Sequence, residues 1–204
     1  MTKPMLTKNT DKLRHEVAAH VAADSIIQGN YWNKESQVGC FIGCLAHGNN
    51  PLTNETAYGL PVMIQRIAEN IFEALPADEA KAFFAALPDA VGCDGKDLSK
   101  VGWQFLAAEL RSLPKQSVQI QTVIEPVIAG MDLLSADEEW PTADASYAAA
   151  ADAAAAYAAA NAAYAAYADA AAAAADAAYA AVRLRQRNLL LHLISTAPVI
   201  EGYK

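Results

Sequence analysis

Apolar residues recur at helical spacing through most of the chain. From Asp11 to Gln28 the positions Leu13, Val17, Val21 and Ile27 form one stripe, with Gly29 as its C-terminal stop. A polar turn through Asn30, Asn33, Lys34 and Glu35 leads to a second helical stretch, Gly39 to His47, closed by the breaker cluster Gly48-Asn49-Asn50-Pro51. Leu60, Ile64, Ile67, Ile71 and Leu75 predict a third helix ending at Pro76, and Asp78 to Leu87 a fourth ending at Pro88. Asp97 or Ser99 can cap a fifth that runs to about Leu113. Gln116 to Ala129 reads two ways. Val118 and Ile120 alternate with Gln as in a strand, whereas Val123, Ile124, Val127 and Ile128 suit a helix with Pro126 near an end. The helix is preferred, because a lone strand finds no partner elsewhere in the chain.

The last third is of another kind. Between Ala143 and Ala181, 28 of 39 positions are alanine, the residue of highest helix propensity, and no Gly or Pro interrupts the chain from Thr142 to Ala197. On a helical wheel Tyr157, Tyr164, Tyr167 and Tyr179 fall within an arc of about 120°, with Asp144, Asp169 and Asp176 opposite. Flanked by alanines, such a Tyr row either docks on the chain's own core or forms a partner-binding ridge. One continuous helix from Asp144 to about Ile194 would be roughly 75 Å long, against a radius of gyration of about 17 Å for a compact chain of this length. The segment is therefore expected to bend, near Asn161 or Asp169, or to pair with a second copy. A membrane span is excluded, since Asp152, Asp169 and Asp176 would each cost roughly 2.5 to 3.5 kcal/mol at its centre.

The fold expected is all-α: an N-terminal multi-helix domain over 1–134, an acidic hinge over 135–142, and an alanine-rich helix or helix pair over 143–204. Charge narrows the possible partners. The net formal charge is −8, and no Lys or Arg occurs from Gln116 to Val182, so direct nucleic-acid binding, which needs clustered cations, is not expected. The Asp row, roughly one charge per two turns, is too sparse to imitate nucleic acid. The N-terminal residues MTKPMLTKNTDKLRH carry no apolar run of the signal-peptide kind, and the three cysteines, Cys40, Cys44 and Cys93, form no even disulfide set. A cytoplasmic protein with free thiols is the expectation.

One constellation could carry chemistry. On the wheel of the first helix His20 and Asp24 fall inside the Leu13, Val17, Ile27 stripe, one turn apart. A polar pair pointed at a core needs partners, and an aspartate beside an imidazole is the usual support of a catalytic or metal-bound histidine. The second helical stretch, GCFIGCLAH, adds Cys40, Cys44 and His47 at i, i+4 and i+7, with Gly39 and Gly43 permitting close backbone approach. Three readings compete. His20, Cys40, Cys44 and His47 could form a tetrahedral zinc site. Cys44 or Cys40 could be a nucleophile activated by His20 or His47, with Asp24 orienting the imidazole. Or the thiols are small core residues around a satisfied His–Asp pair.

Other features are weaker. Arg66, Glu69, Asn70 and Glu73 read as the solvated face of the third helix, and Trp32, Trp103 and Trp140 as core or interface anchors. Cys93 sits in a Gly-rich turn. No phosphate-binding Gly loop, nucleophile elbow or HExxH motif occurs.

The segments QGNYW (28–32), GCFIGCLAH (39–47), YGLP (58–61) and RIAENIFEALP (66–76), followed by an alanine-rich tail, resemble a family of small proteins of bacterial genomes and their phages that has no established activity. The tail is also similar to alanine-rich helices of candidate immunity proteins. The resemblance implies a mobile-element setting and a non-enzymatic protein-binding module, such as an inhibitor of a host defence complex; the Tyr-lined alanine-rich helix is expected to contact that protein partner or a second copy, as a homodimer. The alternatives are a thiol/histidine enzyme or zinc protein built on His20, Asp24, Cys40, Cys44 and His47, and a toxin-neutralising immunity protein. No cofactor is expected apart from that possible zinc. Size-exclusion chromatography with light scattering is expected to show a dimer or an elongated particle; a compact monomer would mean that the alanine-rich segment folds back on its own domain.

Overall fold

The computed structural model describes residues 4–114, 118–140, 172–200 and 202. Among the described residues are eight helices and one short ribbon: α1 (Thr10–Ala22), β1 (Trp32–Asn33), β2 (Val38–Gly39), α2 (Phe41–Ala46), α3 (Pro51–Tyr58), α4 (Val62–Ala74), α5 (Ala77–Val91), α6 (Val101–Arg111), α7 (Val118–Ser135) and α8 (Ala172–Thr196). The architecture is all-α, as its apolar periodicity predicts. No described helix is long and apolar enough to cross a membrane. Contacts divide the chain into two units, Lys3–Gly102 together with Val182–Lys204, and Trp103–Ala181 together with Met1–Thr2.

In the first unit four phenylalanines form the centre. Phe41 of α2 lies 6.1 Å from Phe72 of α4 and 5.3 and 5.5 Å from Phe83 and Phe84 of α5, ring centroid to centroid. Such contacts, offset or edge to face, add to the area the rings bury. Leu13 and Val17 of α1 and Leu190 and Ile194 of α8 close the same core. The α8 end is also tied by a buried lysine. Lys96 Nζ donates to Ala90 O (3.1 Å) and Ser195 O (2.9 Å), a cation placed on the terminal carbonyls of α5 and α8, where helix dipoles favour it.

Several boundaries differ from those predicted. The first helix ends at Ala22 rather than Gln28, because Asp24 turns left-handed (φ 48°) and the chain doubles back. Val21 is consequently 46% exposed and Ile27 also faces solvent, so the buried stripe is Leu13, Val17 and His20. The residues read as a polar turn contain the ribbon: Trp32 pairs with Gly39 and Asn33 with Val38, and Asn33 Oδ1 accepts from the amides of Glu35 and Ser36. The breaker cluster after His47 starts a helix as well as ending one. Asn50 caps Leu52 N, Pro51 supplies the first helical position, and Gly59 ends α3 left-handed.

α5 runs through Pro88 to Val91. Proline forfeits one hydrogen bond there, but Leu87, Ala90 and Val91 continue the buried stripe and Gly92 N returns a bond to Pro88 O. α3 and α4 are joined by a buried amide pair, in which Asn54 Nδ2 donates to Gln65 Oε1 (3.0 Å) while Gln65 Nε2 donates to the carbonyls of Pro51 and Leu60. α6 begins only at Val101, so neither Asp97 nor Ser99 takes the N-cap position expected of them; Asp97 instead accepts from Ser99 N in the turn before the helix.

In the second unit, Ala107 of α6 and Val127 and Met131 of α7 form a small core, edged by Trp103, Leu106, Leu110 and Trp140. The ambiguous segment is helix α7, which carries Pro126 in its interior. Trp140 lies flat enough on Gly130 that a Cβ there would meet the indole at 2.3 Å. Val118 stays 79% exposed.

Among the described glycines the least room is at Gly43 of α2, which faces the carbonyl of Tyr31, the residue before β1. A Cβ on Gly43 would stand 1.3 Å from Tyr31 O, and one on Gly39 2.3 Å from the same atom. Gly43→Ala is therefore expected to destabilise the protein by at least about 3 kcal/mol, whereas Gly29→Ala, at φ 81° with open space around it, is expected to cost about 1 to 2 kcal/mol. Denaturant unfolding of the two variants checks the contrast.

Candidate metal centre

His20 is the one imidazole of α1 on the buried face, 8% exposed. The reversal at Asp24 carries Ser25 back beneath it. Ser25 Oγ donates its single proton to His20 O (3.2 Å) and therefore accepts from His20 Nδ1–H at 2.7 Å. A neutral ring with its proton on Nδ1 and its lone pair on Nε2 fits this pair of contacts. Burial lowers the pKa of His20; the carboxylate of Glu16 opposes that shift, and His47 adds to it.

Nε2 of His20 points at two other groups. His47 follows the last turn of α2 in the left-handed region (φ 48°), a conformation that costs a non-glycine residue about 1 to 2 kcal/mol and turns its ring back toward α1. The ring stacks on Trp32 (centroids 4.8 Å apart, planes 25°), whose indole also meets His20 edge-on at 5.7 Å. Glu16, one turn before His20, completes the group. His47 Nε2 stands 2.8 Å from Glu16 Oε1, and His20 Nε2 stands 3.3 Å from His47 Nε2 and 3.5 Å from Glu16 Oε1.

Two imidazole nitrogens and a carboxylate oxygen thus form a triangle with sides of 2.8 to 3.5 Å. Two ligands each about 2.05 Å from a zinc ion, at the tetrahedral angle, lie about 3.3 Å apart. The triangle has the right size for one ion at its centre. Without metal, the two imidazoles share a hydrogen bond between their Nε2 atoms (3.3 Å), with the Glu16 carboxylate beside both.

The cysteines lie elsewhere. α2 is only six residues long, so Cys40 precedes it and His47 follows it, and the shared face of Cys40, Cys44 and His47 is not formed. Cys40 Sγ donates to Glu69 Oε1 (3.0 Å), and Cys44 Sγ to Gly39 O (3.2 Å). Burial pushes both thiols up to about 12, reinforced at Cys40 by its bond to the Glu69 carboxylate. At neutral pH they are protonated, and neither donates to a histidine. The set His20, Cys40, Cys44 and His47 is not brought together.

Asp24 is a correction too. With α1 ended at Ala22 its side chain is 79% exposed and pairs with Lys81; the orienting role expected of it belongs to Ser25. Glu69 is likewise not solvated. It is buried and accepts from Cys40, Tyr31 OH (3.3 Å) and Arg66 (3.2 Å). Burial raises the carboxyl pKa of Glu73, which also accepts from Gly29 N. Cys40, Glu69 and Glu73 could hold an ion by distance alone, but Arg66 already occupies Glu69 and the Cys40 thiol keeps its proton.

Of the Tyr row, Tyr157, Tyr164 and Tyr167 lie outside the described residues, and Tyr179 is exposed on α8. Cys93 is exposed in its turn. Glu16 escaped sequence reading, although its place four residues before His20 on one helix face was a usable signal. Comparison with protein-family models, characterised proteins and solved structures finds no match to the chain.

The two candidate supports of His20 separate in a stability measurement. Asp24→Ala, at an exposed ion pair, is expected to change unfolding free energy by less than about 0.5 kcal/mol. Ser25→Ala leaves a buried Nδ1–H unpaired and is expected to cost about 1 to 3 kcal/mol.

Proposed function

We propose that the protein binds a divalent transition metal through Glu16 Oε1, His20 Nε2 and His47 Nε2. The convergence of these three atoms to within 3.5 Å carries the reading. Two further features support it. Ser25 Oγ holds Nδ1 of His20 at 2.7 Å, the kind of outer partner typical of metal-bound histidine. The donor set, two imidazoles and a carboxylate, suits zinc and its neighbours in the first transition row. The thiols take no part. A second reading, a protein-binding module, is favoured by the exposed apolar residues Val118, Ile120 and Val123 on α7. The two are compatible, since they use different units of the chain.

Calorimetric titration of the metal-free protein with Zn²⁺ is expected to show one ion per chain and a raised melting temperature. Glu16→Gln and His47→Ala should each lower affinity at least about tenfold, and Cys44→Ser should leave it unchanged. No binding, or binding lost only with Cys44→Ser, would overturn the assignment.

A further inference from the structure

The two imidazoles of the centre are held in unequal ways. His20 is buried, with Ser25 at Nδ1 and the Phe84 ring edge-on at 6.4 Å, centroid to centroid. His47 lacks that support: its side chain is 52% exposed, and among the described residues no hydrogen bond reaches its Nδ1. A metal-bound histidine almost always has an outer partner at its second ring nitrogen, which sets the ring angle and so aims the ligating lone pair. At His47 that task falls to a ring contact.

Trp32 makes the contact. Its indole stacks on His47 with centroids 4.8 Å apart and planes 25° from parallel, and the same indole meets His20 edge-on at 5.7 Å. These are the offset and edge-to-face geometries in which aromatic pairs attract. One indole therefore touches both imidazoles, whose planes stand 69° apart. The ribbon in turn places the indole. Trp32 pairs with Gly39, and a Cβ on that glycine would stand 2.9 Å from Cε3 of the indole, so the ring rests against the backbone of β2. A ring held in this way presents a fixed face to His47.

We propose, resting on the metal assignment above, that Trp32 is the positioning residue of the centre. Stacking on its indole takes the place of an outer hydrogen bond at His47 and keeps His47 Nε2 aimed at the point where His20 Nε2 and Glu16 Oε1 converge. The indole supplies no ligand atom. It removes the freedom of a half-exposed ring on folding rather than on metal binding, so the ordering of that ring does not weaken affinity.

Two variants separate aim from bulk. Phenylalanine keeps an aromatic face for His47, whereas leucine fills part of the space without one. Zn²⁺ affinity, measured by competition with a chromophoric chelator, is expected to stay close to that of the wild-type protein in Trp32→Phe and to fall roughly tenfold in Trp32→Leu. With Co²⁺ in place of Zn²⁺, the d–d absorption of Trp32→Phe should match that of the wild type, and that of Trp32→Leu should differ because a ligand has moved. Co²⁺ should also quench, at one ion per chain, an emission component that Trp32→Phe lacks, a comparison that holds even where Trp32→Leu does not fold. Equal affinity in all three proteins, equal loss in both variants, or one cobalt bound with Trp32 emission intact would each overturn the role of Trp32 and leave the metal assignment standing. A wild-type protein that binds neither ion would remove both.

Discussion

The contact on which the candidate site depends is the approach of the Tyr31 carbonyl to the backbone of α2. No side chain can stand between them, and the two glycines of the GCFIGC segment leave that space clear. With Tyr31 pinned there, its neighbours are placed on both sides of α2. Trp32 lies against His47 and His20, while the Tyr31 hydroxyl reaches Glu69. The ribbon, the aromatic wall of the metal centre and the network around Cys40 therefore share one steric requirement. A β-carbon at Gly43 would disturb all three.

Around that contact, buried polar groups are satisfied in ways that join elements distant in sequence. Gln65 ties α4 to α3, Lys96 ties the ends of α5 and α8, and Glu69 draws together a thiol, a phenol and a guanidinium. Each such group would be costly if left unpaired, so each restricts the packing to arrangements that supply its partner. The same logic holds at His20. Ser25 satisfies one ring nitrogen, which turns the other toward His47, to which it is hydrogen-bonded, and toward the Glu16 carboxylate.

That choice separates the two cysteines from the centre in chemical as well as spatial terms. A buried thiol hydrogen-bonded to a carboxylate or a carbonyl holds its proton at neutral pH, so Cys40 and Cys44 behave as small core residues with polar tips. The imidazole and carboxylate donors need no such deprotonation of a thiol. The half-exposed ring of His47 keeps one side of the donor group toward solvent.

Period, propensity and punctuation determined the class of fold. The apolar stripes of α4 and α5, the helical nature of α7 despite its alternating start, and the inward position of His20 all follow from local spacing, because one helix face must be buried whatever it packs against. Tertiary structure decided where each stripe stopped and which polar groups met. Local spacing carries α1 through Asp24 and so puts that carboxylate in the core; the left-handed turn at Asp24 ends the helix, exposes the carboxylate and brings Ser25 to His20 in its place. Glu69 looked solvated because its helix face is polar, but α2 and Tyr31 cover it. Pro88 looked like a terminator, yet the burial of Leu87, Ala90 and Val91 outweighed one lost hydrogen bond. Glu16 and His47 are 31 positions apart, and they meet only because α1, the ribbon and α2 pack around Trp32. Local sequence specifies helices and their faces through short-range sterics and hydrogen bonding, whereas a site assembled across long range depends on packing that no local window contains.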